Sequence, residues 1–201
     1  MKADMPDIAP LSPRPEVLDF LLTRRSRPAK TLTTPVPDRA TVDTLLTAAA
    51  RTPDHGKLEP WRFIVLERGA NLRLAGLTRD RGADAGLEPE KLEKSARAFE
   101  DAHLVVAVVA SPKASDKVPE VEQVLSAGAV CLALINAGLA AGWGANWLTG
   151  WMAFDRPFLS EGLGLADQEF VAGFIHLGTE TNVPPERPRP DLSAITTWVS
   201  E

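Results

Sequence analysis

The chain has 201 residues, 44% of them hydrophobic and 24% charged, which suits one folded domain with its own core and excludes a disordered chain. A formal net charge of -5 offers no general attraction to a polyanion, and no concentrated basic face stands out, which argues against nucleic-acid binding. The lone cysteine, Cys131, cannot close an intramolecular disulfide; in its apolar stretch it reads as a buried structural thiol suited to a reducing compartment.

Residues 1–14 are rich in Pro and Asp, lack the apolar run of a secretory signal, and read as a flexible extension ahead of a single domain over 15–201. Pro15 is placed to start a helix carrying Val17, Leu18, Leu21 and Leu22, which delivers Arg24 and Arg25 at its C-terminal end. Asp38 is a good N-cap for a second helix with Val42, Leu45, Leu46 and Ala49 on one face. Arg51 to Pro60 is a proline-bracketed loop, and Trp61 to Leu66 and Leu104 to Ala110 have strand composition.

Between those strands, Asn71 to Arg79 and Glu88 to Asp101 read as helices separated by a turn at Arg81 to Gly86. Pro119 to Ala141 is the longest helical pattern. Its small residues and internal Ser126 and Asn136 favour a packed core or interface helix over a membrane span. Trp143 to Leu148 and Phe170 to Leu177 read as later strands, with Asp155 capping a short helix between them, and Ala194 to Val199 reads as a final extended segment. Helices and strands alternate irregularly, which favours an α+β sandwich over a regular βαβ array.

The chain contains no G-x-G-x-x-G and no G-x-x-x-x-G-K-[ST]. His55, His103 and His176 show no paired metal spacing, so no metal site is expected. Arg24-Arg25-Ser26 offers two guanidinium forks and a hydroxyl, a set suited to a phosphate monoester; a solvated helix end with arginines complementing the dipole is the competing reading. The loop from Arg51 to Trp61 sets Arg51, His55 and Lys57 before an aromatic strand start, as a polar turn or as cations along the edge of a planar cofactor.

Taken in order, Arg24-Arg25-Ser26, the Pro53-Asp54-His55 loop, Pro60-Trp61-Arg62-Phe63-Ile64-Val65, His103-Leu104-Val105-Val106, the small-residue helix, Gly142-Trp143-Gly144-Ala145-Asn146-Trp147 and Leu177-Gly178-Thr179 resemble the nitroreductase family of flavoproteins. The likeness is narrower still to its short bacterial NAD(P)H nitroreductases, and it runs from about Pro15 onward. It implies an α+β sandwich with a central mixed, mainly antiparallel sheet flanked by helices, a homodimer, and FMN at the subunit interface.

By the same resemblance, Arg24, Arg25 and Ser26 match the triplet near the FMN phosphate and ribityl chain. Arg51 and His55 match positions reaching FMN from the partner subunit, Lys57 falls near a position facing the ring, and Trp147, Leu148 and Thr149 match a segment beside the isoalloxazine. Arg189, in preference to Arg187, matches a further phosphate-binding cation. Two positions depart from the family pattern: Pro28 replaces a common cation, and Glu59 replaces a common Gln.

The implied activity is NAD(P)H-dependent reduction of nitroaromatics, quinones or similar electron-poor acceptors by a ping-pong route. The chemistry sits on flavin N5, no side chain is an obligatory catalyst, and an apolar cleft with Trp147, Trp151 or Phe154 receives the acceptor. A cytoplasmic enzyme without membrane or nucleic-acid partners is expected. Two other readings are a flavin-binding or flavin-processing protein without reductase turnover and a cofactor-free homodimeric interaction module.

Overall fold

The computed structural model describes residues 8–201. Half of the expected N-terminal extension, residues 1–7, therefore lies outside the described residues; Ile8 to Arg14 are exposed and carry no regular structure. Helix α1 (Pro15–Thr23) begins on a proline whose missing N–H is no loss at a helix start. Its apolar residues do not enter the core: Val17, Leu18, Leu21 and Leu22 are all exposed. After the short strand β1 (Leu32–Thr33), Asp38 caps α2 (Arg39–Ala49) by accepting the Thr41 N–H at 2.8 Å, and α2 buries Val42, Leu45 and Ala49.

The sheet is built around its last strand. β5 (Phe170–Glu180) pairs with β3 (Leu104–Ala110) on one edge, and β3 pairs in turn with β2 (Trp61–Glu67). On the other edge β5 takes β4 (Gly144–Leu148) and then, at its C-terminal end, β1. Every pairing among the described residues is antiparallel, so the sheet is more uniform than the mixed one expected. All seven residues of β3 are buried, because both faces of this central strand are covered. Its period of two splits the core: Val105, Ala107 and Val109 join Leu74, Phe99, Phe158 and Phe174 under α3 (Arg68–Asp84) and α4 (Pro89–Glu100), whereas Leu104, Val106 and Val108 join α2 and α5 (Glu120–Ala140) on the other side.

α3 runs to Asp84, past the start of the turn expected at Arg81. Gly82 packs so closely on Leu92 and Trp151 that burial outweighs its poor helix propensity, and the chain turns only afterwards, at Gly86 with φ 66. α5 is long and apolar enough to cross a membrane, with mean hydropathy 1.7 over its best stretch. One face nevertheless packs Val130, Cys131, Leu134 and Ile135 into the core, as expected of a core or interface helix. Burial pushes the Cys131 thiol up to about 12 and depresses His176, deep in β5, to about 4.

Two clasps close the segment between β4 and β5. Asp155 caps the helical turn Phe158–Gly162 by accepting the Phe158 N–H at 2.9 Å. Glu169 is buried and takes both forks of Arg62 at 2.7 Å; the Arg62 hydrogen bonds hold its carboxyl at about 2, below the usual range. The expected extended segment Ala194 to Val199 is not one: α6 (Leu192–Ile195) is a single turn capped by Asp191, and Trp198 and Val199 are exposed without a strand partner. Among the described residues this segment packs on no other element of the chain.

Candidate functional site

The end of α1 and the proline-rich tail converge although 160 residues separate them. The Arg24 guanidinium donates to Ser26 Oγ at 2.9 Å, and Arg25 reaches the Ser26 carbonyl at 3.1 Å and the Pro185 carbonyl at 3.4 Å. Arg189 comes in from the tail, held by Glu186 at 2.7 Å, with its guanidinium 3.5 Å from the Arg24 carbonyl. Burial, then the neighbouring charges of Arg189, Arg25 and Arg27, lowers the Arg24 pKa, and the buried Arg24 Nε has no hydrogen-bond partner among the described residues. Like charges crowd only at a cost, and an anion placed here would relieve the repulsion and take the open Nε donor.

Arg27 connects the cluster to the sheet. Its backbone N–H donates to the Ala145 carbonyl at 2.9 Å, its own carbonyl accepts from Asn146 Nδ2 at 2.8 Å, and its guanidinium pairs with Glu180 at 2.8 Å. This stitching sets Pro28, Ala29 and Lys30 against β4 and opens a cleft of about 790 Å³ between them and α4. Asn146 and Leu148 form one wall; Lys94, Arg97, Ala98 and Ala102 form the other. The exposed lining is mainly apolar, and the charged residues Lys30, Glu90, Glu93, Lys94, Arg97 and Asp101 also border the cleft.

A model of the nitroreductase family matches residues 21–179. The chain belongs to the nitroreductase family. It is 33% identical over 164 residues to "Putative NAD(P)H nitroreductase YdjA" of Escherichia coli K12, which spans 82% of this chain and 88% of that protein. A Haemophilus influenzae relative of the same description is 36% identical over 166 residues, with the same coverage. The fold matches the crystal structure of a nitroreductase-like family protein from Bacillus cereus with a TM-score of 0.75 at 17% identity, covering 96% of this chain and 99% of the other. It also matches a structure from Bacteroides thetaiotaomicron with a TM-score of 0.68 at 19% identity, covering 90% and 96%. The protein is therefore an oxidoreductase of nitroreductase type with an α+β fold.

Within this nitroreductase the sequence-derived residues fall into two groups. Arg24, Arg25, Ser26 and Arg189 sit together, and Leu148 lines the adjoining cleft. Trp147 lies on the opposite face of β4, over Gly173, with its indole N–H donated to the Ala172 carbonyl at 3.1 Å; a Cβ at Gly173 would run into the ring. Thr149 is exposed beyond the end of β4. Trp151 packs against Phe158 at 6.3 Å and Phe154 is exposed, so these aromatics do not share one cleft with Trp147. The cleft walls come instead from Leu148, a few alanines and the charged side chains of α4, which aromatic spacing does not mark.

Arg51, His55 and Lys57 form the second group. They are exposed, and among the described residues none of their hydrogen bonds reaches the triplet; the loop is fastened to α5 instead. Glu59, one of the two departures from the family pattern, is exposed and serves the loop through its backbone N–H, bonded to Asp54 at 2.6 Å. Sequence reasoning missed the part of Arg27 and Asn146 in joining triplet to sheet, and the α4 wall with Lys94 and Arg97. A polar residue inside the Trp143 to Leu148 strand was the available signal for Asn146; the α4 residues gave none.

Proposed function

We propose that the protein is an FMN-dependent, NAD(P)H-oxidising reductase of nitroaromatics, quinones or similar electron-poor acceptors, working as a cytoplasmic homodimer by a ping-pong route. The observation that carries this reading is the partly buried Arg24 guanidinium set among Arg25, Arg27 and Arg189, bonded to Ser26 through one terminal nitrogen while its Nε has no partner among the described residues. This donor set fits a phosphate monoester. FMN, when bound, supplies the hydride chemistry at its N5.

The chain's own part is to bind, orient and exclude water. Arg24, Ser26 and Arg189 would hold the phosphate, and the adjoining cleft would take the ring edge alongside Leu148, with the β4 backbone before Thr149 and Gly150 as further donors. Lys30 and Lys94, which line the cleft, would supply the positive charge absent at Pro28. The apolar surface offered by Pro28, Ala29, Ala98, Ala102 and Leu148 suits a flat, electron-poor acceptor.

The loop carrying Arg51, His55 and Lys57 completes the site of the other subunit. Support comes from the exposed apolar residues Val121, Leu125 and Leu132, which recur along one side of α5 beside that loop and leave a surface for a second copy. The visible spectrum of the purified protein and a titration with FMN test the reading, followed by NAD(P)H oxidation with a nitroaromatic or quinone. Flavin bands, tight FMN binding and acceptor-dependent oxidation are expected; colourless protein that binds no added FMN overturns it.

A further inference from the structure

The loop between α2 and β2 is clamped to α5 at two positions one helical turn apart. Ser126 Oγ donates to the Pro53 carbonyl at 2.8 Å and accepts the Trp61 indole N–H at 3.2 Å, while Glu122 Oε2 lies 2.7 Å from His55 Nδ1. The backbone between these anchors is held in an unusual shape. Gly56, Lys57 and Glu59 have φ of 72, 55 and 50, and the Asp54 carboxylate closes the turn on the Glu59 N–H. Two non-glycine residues in the left-handed region persist only where the surroundings fix them.

Histidine and glutamate here are both largely exposed, at 58% and 46% of the side chain, so the pair adds little to stability. Its effect is chemical. A carboxylate accepts only, so the short contact puts the proton on Nδ1 and turns Nε2 outward. A neutral ring so held offers Nε2 as an acceptor, the complement of an O–H or N–H group on a ligand.

The groove beside the pair runs over Leu125 and Ala129 onto the exposed stripe of α5. His55 therefore sits at the margin of the surface on which a second copy is proposed to pack. We propose that Glu122 is a positioning residue for the flavin site of the opposite subunit: it fixes the tautomer and direction of His55, so that Nε2 meets a hydroxyl or N–H of FMN across the interface. This inference rests on the flavoprotein reading given above.

The test is a double-mutant cycle on the purified dimer, reading the FMN dissociation constant by flavin fluorescence for wild type, His55→Ala, Glu122→Ala, the double variant and Glu122→Gln. Each alanine variant is expected to weaken binding about ten-fold. The double variant should bind no more weakly than His55→Ala alone, and Glu122→Gln, whose amide oxygen still accepts from Nδ1, should stay near wild type. Losses that multiply in the double variant, or an unchanged constant in Glu122→Ala, overturn the proposal.

A second measurement does not depend on FMN affinity: ring nitrogen NMR shifts should report the Nδ1–H tautomer of His55 in wild type and its loss in Glu122→Ala. A ring carrying its proton on Nε2 in wild type also overturns the proposal. Wild-type protein that binds no FMN defeats the flavoprotein reading itself, whereas binding that depends on Arg24 but not on His55 or Glu122 defeats only the positioning role.

Discussion

Arg24 sits in surroundings that an isolated charge would not choose. Its Nε is buried without a partner among the described residues, and burial, then the charges of three other arginines, lowers its pKa, so the cluster is held together against its own repulsion. Charge-assisted contacts are each worth about 1.5 to 3 kcal/mol, so Arg24→Ala combined with Ser26→Ala should weaken FMN binding by a factor on the order of a hundred or more. Isothermal titration of the double variant against wild type checks this; an unchanged constant would move the phosphate elsewhere. The triplet itself was readable in the sequence because three consecutive donors are local. Its meeting with Arg189 and Pro185 depends on the path of a proline-rich tail, which carries no periodic signal.

At the scale of elements, the Arg62–Glu169 clasp ties β2 to the entry of β5. Glu169 is depressed to about 2 from a reference value of 4.5, so the folded state gains stability above pH 4.5 and loses it as the pH falls through the window down to about 2. Glu169→Ala should cost about 2 kcal/mol at neutral pH, the half-exposed Arg62 being partly rehydrated, and should flatten the acid limb of the stability curve. Chemical denaturation at several pH values reads both effects. Strands β2, β3 and β5 and helices α2 and α5 were visible in the sequence because their apolar spacing answers to burial within this chain. The continuation of α3 past Arg81 was not, since it follows from the close fit of Gly82 on Leu92 and Trp151. The segment after Asp191 misled for the opposite reason: its apolar residues stay exposed and are not buried by any described part of this chain.

The whole molecule leaves a notable amount of apolar surface uncovered. Leu18 and Leu22 of α1, Leu125 and Leu132 of α5, and Ile195 and Trp198 of the tail are all exposed, more than scattered surface residues account for. As a homodimer the protein should sediment at twice the mass of the chain. Leu125→Glu with Leu132→Glu should shift it to monomer by placing charge in a desolvated contact, and FMN affinity should fall with it if the Arg51–Lys57 loop serves the second subunit. Monomer that keeps full FMN affinity would place the entire flavin site within one chain. Of the proposed site, the half formed by α1, the tail and β4 lies in a single chain; on that reading the loop half would need a second copy, which no spacing along one sequence encodes.

Cys131 provides a reporter for these experiments. It is the chain's one thiol, enclosed between α5 and the sheet, and its raised pKa removes the thiolate that a disulfide reagent needs. Native protein should therefore resist modification by such a reagent at pH 8, and each molecule should react once, at the rate at which the α5 side of the core opens. The labelling time course would give the frequency of that opening without an added dye, and flavin or a second subunit should lengthen it in proportion to how firmly each holds α5 in place.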